Sequence, residues 1–142
     1  MDKNALFQKF VAFTTSVHQI TNDMTKGVRA DALTPVQYKI LEYIAVSQPV
    51  TLSEISDCMH MSMPNTSREL RKLSEKQLCE KVAAPEDRRK QSIRLSQEGE
   101  ALMNGVFQRV GVLFAQRIGA VTEEELREIE RALDLLQRKV FY

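Results

Sequence analysis

Between Thr34 and Ser62 the sequence carries three helix-start signatures in close succession, and nothing else in it narrows the fold so far. Thr34 with Gln37, and Thr51 with Glu54, are capping boxes: the hydroxyl takes an orphan backbone N–H and the side chain three residues on reaches back to the cap. Pro35 adds the residue favoured at a first helical position, and Ser62 is a third cap. Starts so closely spaced leave room only for short helices. The first is expected to bury Val36, Ile40, Leu41 and Ile44, the second Leu52, Ile55 and Met59. After His60 and Met61, a third runs to about Gln77. A short helix, a tight turn and another helix is the supersecondary unit implied.

The ends of the chain read differently. From Lys3 to about Val28, apolar residues recur at Leu6, Phe10, Phe13, Val17, Ile20 and Met24 in steps of three and four, the seam of one long helix. Thr122 with Glu125 caps a last helix whose seam is Leu126, Ile129, Leu133, Leu136 and Val140. Two seam-bearing helices flanking a compact middle favour an interface between two copies over packing on the chain's own core.

In the helix after Ser62, Met63, Thr66, Leu70 and Leu73 share one side, whereas Pro64, Arg68, Arg71 and Lys72 share the other, with Asn65 and Ser67 beside them. Leu78 to Ala83 reads as a strand and Ser92 to Leu95 as its return. The loop between them carries Asp87, Arg88, Arg89 and Lys90 and is long enough to project. Ser96 then caps a helix to about Gly119 with Leu102, Val106, Val110, Leu113 and Phe114 as its apolar side. With 5 Gly, 4 Pro and no Trp in 142 residues, a mainly α fold with a small β-hairpin is expected, not a sandwich or barrel. We expect a single domain, 1–142. Within it, a winged helix-turn-helix lobe spans 34–95, and dimerisation helices span 1–30 and 96–142.

Charge agrees with a nucleic-acid role for the middle. The net charge is +1, but residues 1–59, 60–95 and 96–142 carry −1, +4 and −2. A basic helix fits the major groove, where Asn65 suits an adenine edge and Arg68 or Arg71 suits guanine. Ser62, Thr66 and Ser67 offer hydroxyls to phosphates, and the projecting loop can place Arg88 or Arg89 in the neighbouring minor groove. The expected DNA-facing set is therefore Ser62, Pro64, Asn65, Thr66, Ser67, Arg68, Arg71, Lys72, Asp87, Arg88, Arg89 and Lys90.

The run from Asp87 through Arg89, Ile93, Leu95 and Ser96 to Gly99 resembles the D-x-R-x-x-x-I-x-L-T-x-x-G wing signature of the MarR family of winged-helix regulators. The LTPVQYKIL segment from Leu33, the Ser67-Arg68 pair and the order of helices extend the likeness along the chain. The resemblance implies a wing arginine, here Arg89, that enters the minor groove and is held by Asp87. It also implies small ligands bound where the dimerisation helices meet the DNA-binding lobe. The family usually places Gly where the recognition helix ends, and this sequence has Gln77.

The expected partners are double-stranded DNA with a pseudo-palindromic operator, a second copy of the chain, and a small apolar or aromatic anionic effector that releases a repressor. Phe7, Phe10, Met24, Phe13, Phe107 and Phe114 could line the effector cleft, although residues at such spacing more often form core. Neither catalytic groups nor a metal or cofactor are expected. His18 and His60 form no HxxxH pattern, and Glu123, Glu124 and Glu125 suit a helix N-terminus. Cys58 and Cys79 have no paired spacing and read as small buried residues, which disfavours a cysteine-based redox regulator. No leader or membrane span is apparent, so a reducing cytoplasm is expected. A winged module that binds protein is the other alternative, against which the cationic loop weighs.

Overall fold

The computed structural model describes residues 1–27, 33–83 and 91–142. These form α1 (Lys3–Lys26), α2 (Pro35–Ser47), α3 (Leu52–Met59), α4 (Met63–Glu75), β1 (Cys79–Ala83), β2 (Gln91–Leu95), α5 (Gln97–Arg117) and α6 (Glu123–Lys139). This is the mainly α architecture with one antiparallel hairpin. Val50 adds a rung beside the hairpin, with its N–H and C=O bonded to Ile93 at 3.0 and 2.6 Å.

All of the caps read from sequence form. Thr34, Thr51 and Thr122 make reciprocal capping boxes with Gln37, Glu54 and Glu125, and Ser62 Oγ accepts the Asn65 N–H at 3.2 Å. The bond from the Thr122 N–H, aided by its hydroxyl, lowers the Glu125 pKa.

The chain divides into two compact units, Met1–Val110 and Gly111–Tyr142. The core of the first joins Ile40, Leu41 and Ile44 of α2, Ile55 of α3, Leu70 and Leu73 of α4, Ile93 and Leu95 of β2, and Met103 and Val106 of α5. Val36 is not part of it: the buried side of α2 passes through Gln37 and Tyr38, and Val36 is exposed. Neither α1 nor α6 buries a single residue, and Leu6, Phe13 and Val17 on one and Ile129 and Leu133 on the other stand exposed. Among the described residues, no helix is long and apolar enough to cross a membrane.

The base of the hairpin is built by close approach. Gln77 ends α4 with φ of 63°, the left-handed conformation that Gly usually supplies. The Gln77 carbonyl accepts the Ser96 hydroxyl, the Leu78 carbonyl accepts the Ser96 N–H at 3.2 Å, and Ser96 Oγ accepts the Gly99 N–H at 3.0 Å. A Cβ on Gly99 would lie 1.9 Å from the Leu78 carbonyl oxygen, so only Gly lets α5 start against this turn. β1 accordingly begins at Cys79, one residue later than the hydrophobic run suggests.

Candidate nucleic-acid interface

The turn between α3 and α4 is shaped by His60, which ends α3 with φ of 53°, and by Met61, whose N–H returns to the Ser56 carbonyl at 3.0 Å. Inside the corner, the buried Ser56 hydroxyl meets Thr66 Oγ1 at 2.9 Å, while Thr66 donates to the Ser62 carbonyl at 2.8 Å. Thr66 is thus corrected from a DNA-facing to an interior residue: it is fully buried and its hydroxyl is committed to the helix crossing. Ser56 is its partner across the corner, a polar residue on the inner side of α3 that hydrophobic patterning passes over.

The remaining predicted residues of α4 fall on one outer face. Ser62, Pro64, Asn65, Arg68, Arg71 and Lys72 are exposed, and Ser67 is half-buried. Met63, expected to point inward, is exposed as well. Lys72 pairs with Glu69 at 3.5 Å, whereas Arg68 and Arg71 make no ion pair with a described residue. Asp87, Arg88, Arg89 and Lys90 lie outside the described residues.

Between α4 and the hairpin runs a groove of about 370 Å³, floored by Leu52, Leu70 and Ile93 and edged by Ser67, Arg71, Ser74, Lys81 and Gln91. Among the described residues, its edge holds two cations, two hydroxyls and an amide, and no acid. Lys81, Ser74 and Gln91 were not singled out from sequence. Lys81 lies on the face of the hairpin that turns to α4, shared with Cys79 and with Ile93, its partner across the ladder, so the alternation of the strand is the available signal. On the hairpin's other face, Arg94 pairs with Glu80 at 2.8 Å.

A second concavity, of about 450 Å³, separates α1 from α2 and is lined by His18, Asn22, Lys26, Tyr38, Lys39 and Glu42, among others. None of Phe7, Phe10, Phe13, Met24, Phe107 or Phe114 lines it. His18 is exposed, with Nε2 3.2 Å from the Asn22 amide. The Tyr38 hydroxyl is buried with no hydrogen-bond partner among the described residues, and burial, then the charge of Glu42, raises its pKa. Cys58 is exposed, contrary to expectation, while Cys79 is buried and its thiol is raised chiefly by that burial. No cluster of three or more metal-ligating side chains occurs among the described residues.

The family model of the MarR family matches residues 33–90, the span from the cap of α2 to the end of the hairpin loop. The lobe of this chain matches the MarR family. Relatives of this chain include the HTH-type transcriptional regulator MhqR of Bacillus subtilis, 24% identical over 91% of this chain and 87% of the relative. Another is the uncharacterized HTH-type transcriptional regulator YsmB of the same organism, 28% identical over 77% and 75%. The fold is shared with the structure of a MarR family protein from Bacillus stearothermophilus, with a TM-score of 0.77 at 19% identity over 100% of this chain and 99% of that one. The MarR match and these relatives support a DNA-binding transcriptional regulator.

Proposed function

We propose that this protein is a regulator of the MarR family, a sequence-specific repressor that binds a pseudo-palindromic operator as a homodimer and is released by a small anionic effector. The observation that carries the reading is the outer face of α4, where Asn65, Arg68 and Arg71 stand exposed beside a groove edged by Arg71 and Lys81. On this reading α4 enters the major groove, Asn65 and Arg68 meet base edges, and a backbone phosphate lies near Arg71 and Lys81. Ser62, Pro64, Ser67 and Lys72 flank that contact, and Asp87, Arg88, Arg89 and Lys90 serve the wing. Thr66 has no part in it.

The lobe spanning 34–95 is the DNA-binding part, and the unburied helices within 1–30 and 96–142 supply the dimer, which sets half-sites about 34 Å apart. The effector site we favour is the concavity between α1 and α2. Lys26 and Lys39 against Glu42 suit an anion there, and a largely apolar lining with polar groups among it suits an aromatic acid. The protein acts in the cytoplasm, where its targets are.

The test is binding to duplexes enriched from a random pool and to scrambled controls, across a range of salt. Arg68→Ala is expected to cost about 1–3 kcal/mol on the enriched duplex and to relax preference. Lys81→Ala is expected to weaken both duplexes alike and to reduce the salt slope by about one unit. A wild-type protein that enriches no sequence would overturn the reading.

A further inference from the structure

Gln37 is polar, sits in the first turn of α2 and is only 3% exposed. Both ends of its amide are engaged. Oε1 accepts from the Thr34 N–H at 3.3 Å and from Lys76 Nζ at 3.0 Å, and Nε2 donates to Glu69 Oε2 at 3.3 Å. Glu69 and Lys76 are seven residues apart, about two turns of helix, so their side chains converge on one amide from the middle of α4 and from the residue that caps its end.

The apolar packing of Leu41, Ile55, Leu70 and Leu73 holds the helices together, but apolar contact has no preferred direction and tolerates small rolls and slides. Hydrogen bonds weaken steeply when misaligned. Two of them, anchored at different heights on α4 and meeting at a side chain of α2, resist both motions. Arg68 precedes Glu69 directly, so a roll of α4 that breaks the Glu69 bond also swings the guanidinium.

We propose that Gln37 is a positioning residue for DNA recognition, setting through Glu69 and Lys76 the roll of α4 and so the base edges that Asn65 and Arg68 meet. The inference rests on α4 being the recognition helix.

The experiment compares an enriched duplex, selected with the wild-type protein, against a scrambled duplex of the same composition. Gln37→Glu keeps an acceptor for Thr34 and Lys76 but sets a carboxylate against that of Glu69. Glu69→Gln added to it restores a donor and acceptor pair with the polarity reversed. Gln37→Glu is expected to lower the ratio of enriched to scrambled affinity by about tenfold, the scale of one lost base contact, and Gln37→Glu with Glu69→Gln to recover it to within about threefold. An unchanged ratio, an equal loss on both duplexes, or failure of the double variant to recover would overturn the proposal.

Should Gln37→Glu not fold, Lys76→Met removes one anchor without burying a charge. A lowered ratio then supports the positioning role, and an unchanged or equally weakened pair of affinities overturns it. Failure of the wild-type protein to enrich any duplex is a separate result that removes the recognition-helix reading, and the proposal with it.

Discussion

Tyr38 shows how a single residue ties stability to pH. Its hydroxyl is buried without a hydrogen-bond partner among the described residues, and burial, then the nearby Glu42 carboxylate, raise its pKa above the ordinary tyrosine value. Below about pH 10 the phenol is protonated in the folded and unfolded chain alike and contributes no pH dependence. Above it the unfolded chain releases the proton and the folded chain keeps it, so stability falls as pH rises, by at most about 1.4 kcal/mol per pH unit. Tyr38→Phe should flatten that alkaline slope, as read from urea midpoints at neutral and alkaline pH. At neutral pH it should leave the protein about as stable, because no described residue stands within hydrogen-bonding distance of the buried hydroxyl. A neutral-pH loss above about 1 kcal/mol would contradict the assignment. Sequence pointed to Val36 as the buried residue near this turn, and Gln37 and Tyr38 take its place. The side of α2 that turns inward is decided by what lies opposite, here Glu69 and Lys76, which are far away in sequence.

Among the elements, the join of α4, hairpin and α5 is the least forgiving. Gly99→Ala would gain helix propensity of about 1 kcal/mol in α5, yet its Cβ would meet the Leu78 carbonyl at 1.9 Å, and a backbone atom yields less readily than a side-chain tip. The clash outweighs the propensity: we expect a net destabilisation of about 1–3 kcal/mol in urea unfolding, and a variant as stable as the parent would refute the close approach. The elements themselves were legible because their signals are local. Capping boxes span four residues, the α4 stripe shows in its own sequence, and the hairpin alternates. Less legible were the contacts among elements. Thr66 looked available to phosphate until Ser56 was found opposite it, and Lys81 gained meaning only when β1 was set beside Arg71 across a groove. Gln77 shows that the turn constrains shape more than residue type, since a non-glycine residue holds the left-handed φ that the hairpin base requires.

At the scale of the whole molecule, α1 and α6 leave large apolar side chains in water without burying one residue. Such helices gain most of their stability from tertiary contact, and here a second copy would have to supply it. Light scattering at micromolar concentration should therefore give about twice the chain mass of 16.3 kDa. Leu133→Glu, which places a charge in the α6 stripe, should lower that mass and weaken the enriched duplex more than the scrambled one. A monomeric wild-type mass would end the dimer reading. The bare stripe of α1 also bears on dosage. If pairing is required for tight operator binding, then at scarce copy number the active species grows with the square of the chain concentration. A cell making half as much of this regulator would keep closer to a quarter of its DNA-binding dimer, and the control it exerts would sharpen into a threshold.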